Sequence, residues 1–170
     1  MAGGVRADTC WRRVALAAAL AVLACGREPG PATRGTADAA GGGIAIYEPY
    51  IPAPAAPDVA ALYLVVRDED GNGDRLVAVR SEAGDAELHE TREEAGLVRM
   101  QPARDGLAVP AGGELRLEPG GAHVMLSHLT QPLVVGSRVH VTLEFEHAGR
   151  LALEVPVVPA DSGVSQGPPD

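Results

Sequence analysis

Val139-His140-Val141-Thr142-Leu143-Glu144-Phe145-Glu146 alternates apolar and polar residues over eight positions. Successive side chains of an extended chain leave opposite faces, so Val139, Val141, Leu143 and Phe145 gather on one side and His140 points to solvent. That is the pattern of a strand with one buried face.

Outward from this strand, short segments rich in Val, Leu and Ile recur between turn signals: 44–48, 60–67, 75–80, 86–91, 97–101, 114–117, 122–126 and 151–157. Asp70-Gly71-Asn72-Gly73 and Ala148-Gly149 supply tight turns. No stretch carries a helical stripe, and Pro52, Pro54 and Pro57 interrupt an Ala-rich run. The spacing predicts an all-β sandwich or barrel over residues 44–158. With 46% apolar but only 3% aromatic residues, its core must be built from Val, Leu, Ala and Ile.

The ends of the chain are of a different kind. Arg6, Arg12 and Arg13 precede an apolar run from Val14 to Ala24, too short to span a bilayer but suited to the middle of an export signal. The run closes on Val22-Leu23-Ala24-Cys25-Gly26, which resembles the box of bacterial lipoproteins and makes Cys25 the expected lipidated first residue. The predicted layout is a signal peptide at 1–24, a flexible tether at 25–43, the domain at 44–158 and a disordered tail at 159–170. An exported protein, periplasmic or otherwise extracytoplasmic and held to the membrane by its lipid, is expected.

Composition excludes several functions. Basic residues number 14 against 23 acidic, and removal of three Arg and one Asp with the signal takes the formal net charge from −9 to −11. Nucleic-acid binding is disfavoured without a basic face. There is no Lys, hence no Schiff-base amine or phosphate-loop lysine. Cys10 leaves with the signal, so the domain has no disulfide and no thiolate, and any soft-metal site must use thioether sulfur.

Beyond the initiator only two methionines exist, Met100 and Met125, and each is positioned near a histidine. In His123-Val124-Met125 the imidazole and thioether leave the same face of a strand. His89 and Met100 flank Glu93-Glu94-Ala95-Gly96. A hairpin turning on Glu94 and Ala95 sets residue 89 opposite residue 100, whereas a bulge at Gly96 would send one of the pair to the other face. Two imidazoles and two thioethers form a neutral, soft set that suits Cu(I) better than Zn(II). Protonation of the imidazoles in mild acid is expected to weaken such a site.

His-x10-Met-x22-His-x-Met, from His89 to Met125, resembles the signature of the PCu(A)C family of periplasmic copper chaperones. The flanks are similar as well, among them Arg99-Met100-Gln101-Pro102, Val109-Pro110-Ala111-Gly112-Gly113 and Glu118-Pro119-Gly120-Gly121-Ala122. The resemblance implies a cupredoxin-like Greek-key β-sandwich; with no Ser, His and acid set in recognisable context, no thiol in the domain and no open hard-metal site, an enzyme is not expected. The resemblance also implies one Cu(I) held by His89, Met100, His123 and Met125, passed to an acceptor such as the copper centres of cytochrome c oxidase. The family often carries a further Met two residues after its first His, where this chain has Thr91.

His128 has the wrong strand parity for the set and is expected at its rim, while His140 and His147 are expected to be solvated. Glu87 and Glu90 are read as surface charges, and Asp70, Asn72 and Asp74 as a hairpin turn rather than a calcium loop. A copper buffer without a dedicated acceptor, or a metal-free interaction module, are the competing readings.

Overall fold

The computed structural model describes residues 37–94 and 97–162, and every regular element among them is a strand. The expected signal peptide, Cys25 and most of the tether and tail lie outside the described residues. The strands are β1 (Ala39–Gly41), β2 (Ile44–Pro52), β3 (Val59–Asp68), β4 (Asp74–Ser81), β5 (Asp85–Glu94) and β6 (Leu97–Pro102). β7 (Leu107–Val109), β8 (Glu114–Leu117), β9 (His123–Ser127), β10 (Arg138–Phe145) and β11 (Arg150–Val158) complete the domain.

Their pairing order is β6-β5-β9-β3-β2-β11-β10-β4-β7, with β1 added to β2 and β8 to β3. Only two residue pairs, Val157 with Ile51 and Val158 with Pro52, join β2 to β11, and they run parallel. That seam divides the strands into two sheets. The chain passes from one sheet to the other between β3 and β4, β4 and β5, β6 and β7, β7 and β8, and β9 and β10, giving the cupredoxin-like Greek-key sandwich expected from the sequence.

Alternation builds the core. Val139, Val141, Leu143 and Phe145 of β10 are buried, as are Leu151, Leu153, Val155 and Val157 of β11. Facing them are Ile46 and Ile51 of β2, Leu62, Leu64 and Val66 of β3, and Val124 and Leu126 of β9. His140 is on the solvent side, with Glu154 3.5 Å away.

Two short strands escaped the sequence reading. β7 has three residues, and β1 takes Ala39–Gly41 out of the expected tether by pairing with Ile44–Ile46. Neither is long enough to display a period.

The Asp70–Gly73 turn is held by a buried carboxylate. Asp68 accepts backbone N–H bonds from Gly112 (2.7 Å) and Gly73 (2.8 Å), and longer ones from Asp70 and Gly71 (3.2 Å each), tying the β3–β4 turn to the β7–β8 turn. The N–H groups of Gly112 and Gly73 are the main cause of a pKa held far below the ordinary carboxylate value. The Asp-rich loop is a turn as the sequence suggested, but not a hairpin: β3 and β4 do not pair, and the turn carries the chain from one sheet to the other.

Two outcomes follow. Leu62→Ala, at a fully buried site, is expected to cost about 2–5 kcal/mol in denaturant unfolding. Because folding lowers the Asp68 pKa, its contribution is complete above the unfolded value of about 4 and is lost as pH falls towards the folded one. Asp68→Asn should therefore lower the melting temperature at neutral pH and flatten its decline below about pH 4.

Candidate metal centre

The outer face of the β5–β9 pair is fixed by what lies beneath it. Leu88 and Val124, opposite each other in the ladder, are both buried. Their neighbours along each strand must point the other way. His89 is thus directly across from His123, and Glu87 across from Met125. The two imidazole centroids are 5.7 Å apart at 47°. Met125 also faces Ala61 on β3.

Met100 reaches the same face by a register different from the one expected. The β5–β6 ladder closes at Glu94 with Leu97, so Glu94 belongs to the ladder rather than to the turn expected at Glu94-Ala95. Thr91 is opposite Met100, and His89 is opposite Pro102. The physical reason is that the two registers put the same side chains on the same face, so alternation alone could not choose between them; the observed one is continued past His89 by the Ala103 N–H bond to the Leu88 carbonyl at 2.8 Å. A shift of two residues preserves the side-chain parity, so Met100 shares the outer face as a diagonal neighbour of His89. All four candidate ligands therefore occupy one face of β6, β5 and β9.

Their exposure is graded. His123 is 5% exposed, with the Tyr63 ring 6.5 Å away on its β3 side and His89 on the other. Met125 is half-buried, and Met100 at the edge strand is 57% exposed. Neither thioether is packed into the aliphatic core.

Hydrogen bonds specify which ring nitrogens are free. His89 Nε2 is 3.1 Å from Glu87 Oε2, and His123 Nδ1 is 3.2 Å from the Gly121 carbonyl oxygen. A carboxylate and a carbonyl can only accept, so each of those nitrogens donates. In the neutral rings the lone pairs are then on His89 Nδ1 and His123 Nε2. His89 Nδ1 is buried and has no hydrogen-bond partner. Such an atom normally costs stability unless something binds it. Among the described residues no three His, Cys, Asp or Glu side chains gather in metal-holding geometry, so a metal on this face would depend on the thioethers.

The other candidates separate from this set. His128 has a positive φ of 51°, is highly exposed and pairs with Asp85 at 3.0 Å. His147 caps the β10–β11 turn beside Asp74. Glu90 has the opposite parity to His89 and bonds Arg92 at 2.8 Å. Glu87 is the exposed charge expected, and it also contacts His89. The roles of Tyr63 and the Gly121 carbonyl left no mark in the sequence, because both depend on pairing between distant strands.

The family profile described as "Putative lipoprotein LpqE-like" matches residues 44–157. The chain belongs to the LpqE-like family. "Putative lipoprotein Lxx21020" of Leifsonia xyli subsp. xyli is 34% identical over 127 residues, which cover 75% of this chain and 76% of the relative. Among solved structures, the copper-bound PCuAC domain from PmoF2 superimposes with a TM-score of 0.58 at 29% identity, covering 71% of this chain and 96% of that domain. The Cu(I) form of DR1885 from Deinococcus radiodurans does so with a TM-score of 0.56 at 26% identity, covering 70% and 79% respectively. The PCu(A)C kinship read from the His and Met spacing is shown by these relatives.

The hydrogen-bond pattern predicts opposite tautomers in the metal-free protein. Long-range 1H–15N correlation spectra at neutral to mildly alkaline pH should show His89 as the Nε2–H form and His123 as the Nδ1–H form.

Proposed function

We propose that this protein is an extracytoplasmic copper chaperone that binds one Cu(I) through His89, Met100, His123 and Met125 and hands it to an acceptor protein. The observation that carries the reading is the convergence of both methionines and two of five histidines on one outer face, with a buried imidazole nitrogen left bare.

The donor chemistry supports this cargo. Thioether and neutral imidazole bring no charge and are soft or borderline, which favours Cu(I) over Zn(II) or a hard cation. Thioether also needs no deprotonation and cannot form a disulfide, an advantage outside the cytoplasm, although it can be oxidised to sulfoxide. The copper-bound PmoF2 domain and Cu(I)-DR1885, which this domain resembles, support the same cargo.

Graded exposure suits transfer. An acceptor would meet Met100 first, at the rim, and His123 last, so ligands could be exchanged one at a time without opening the core. Copper centres of cytochrome c oxidase are the acceptor class implied by the PCu(A)C resemblance. The LpqE-like lipoprotein kinship and the box ending at Cys25 support anchorage of the domain to a membrane surface by a lipid.

Anaerobic titration should give one Cu(I) per chain, and X-ray absorption should give two sulfur and two nitrogen neighbours. Met100→Leu and Met125→Leu should each lower Cu(I) affinity by more than about tenfold, since even outer-shell changes commonly cost that much. A stoichiometry of zero, or absorption spectra without sulfur neighbours, would sink the assignment. Acceleration of Cu(I) arrival at an apo oxidase subunit, compared with release to a chelator of equal affinity, separates a chaperone from a buffer.

A further inference from the structure

Gly121 presents one carbonyl oxygen to two donors. The Thr91 hydroxyl donates to it at 3.0 Å, and His123 Nδ1 lies 3.2 Å away. A carbonyl has two lone pairs, so both bonds can be made together. The same residue is held from its other side, where Gly121 N–H donates to the Glu118 carbonyl at 3.0 Å across the turn that precedes β9.

Thr91 is placed for this task by the ladder. The last β5–β9 pair is His89 with His123, and beyond it β5 continues to Glu94 without β9 beside it. Thr91 is two residues past His89, on the same face, and opposite Met100 on β6. Its hydroxyl bridges the gap that β9 leaves and reaches the loop leading into His123.

We propose, resting on the copper reading above, that Thr91 is a positioning residue for the metal centre. Its hydroxyl fixes the Gly121 carbonyl, which keeps His123 in the Nδ1–H tautomer and presents Nε2 to copper. A peptide carbonyl in a short glycine-rich turn can rotate at little cost. Anchored from β5, it becomes a rigid acceptor that also selects the ring orientation. Partners of this kind set the tautomer and direction of metal-ligating histidines, and their loss typically costs roughly 10–100-fold in affinity. Where a methionine at this place would add a third thioether, Thr91 provides a pre-aimed imidazole instead.

The test compares Thr91→Val, which keeps the shape and removes the hydroxyl, with Thr91→Ser, which keeps the hydroxyl. Two measurements are made: the His123 tautomer in metal-free protein by long-range 1H–15N correlation, and Cu(I) affinity by competition with a chromophoric chelator. Thr91→Val should give a mixed or Nε2–H tautomer and an affinity lower by about tenfold. Thr91→Ser should match the parent tautomer and stay within about twofold in affinity, a margin well inside the cost of losing such a partner.

An unchanged tautomer or an unchanged affinity in Thr91→Val would overturn the proposal. So would equal losses in both variants, which would trace the effect to packing rather than to the hydroxyl. If the parent protein takes up no Cu(I), the copper reading fails. The metal-free tautomer comparison then still tells whether Thr91 controls His123, so the two failures are distinguishable.

Discussion

The contact between Leu88 and Val124 across β5 and β9 is the constraint on which the rest depends. Both are buried, and the pleat of a strand allows no intermediate orientation. With these two turned inward, His89, His123 and Met125 have only the outer face left to them. A one-residue slip between the strands would bury the imidazoles and expose the aliphatics. The register is therefore defended by the hydrophobic core, and the donor face inherits its precision from packing that has no chemistry of its own.

Around that face the polar interactions are few and directional. Glu87 holds one imidazole, Gly121 holds the other, and each bond leaves a different ring nitrogen free. The rings cross at 47° rather than stacking flat. Tyr63, with Tyr50 beyond it at 5.3 Å, walls the β3 side of His123. Met100 alone stands on an edge strand and remains mostly in solvent. The arrangement is rigid towards the core and open towards the rim.

The main strands were legible in the sequence because each carries enough alternation to declare a buried face, as Val139 to Phe145 does in eight residues. β1 and β7 were not, since three residues hold no period. The four candidate ligands could be named from type and spacing, and parity alone kept His128 apart from His123 and Met125. The alignment of Met100 with Thr91 could not be read, because two registers that differ by two residues present the same faces, and alternation cannot tell them apart. The double use of the Gly121 carbonyl was also invisible. It arises where a strand on one side of the sheet and a loop on the other happen to meet, and no local pattern records such a meeting.

The end of the β5–β6 hairpin has a mechanical meaning. Past His89 no β9 residue pairs with β5, the Thr91 bond spans the gap, and among the described residues no strand pairs with the far side of β6. A cantilever flexes at its free end before its root, so outward bending there would draw one sulfur away from both imidazoles while the sandwich stays shut. Such bending would be centred where β9 stops pairing with β5.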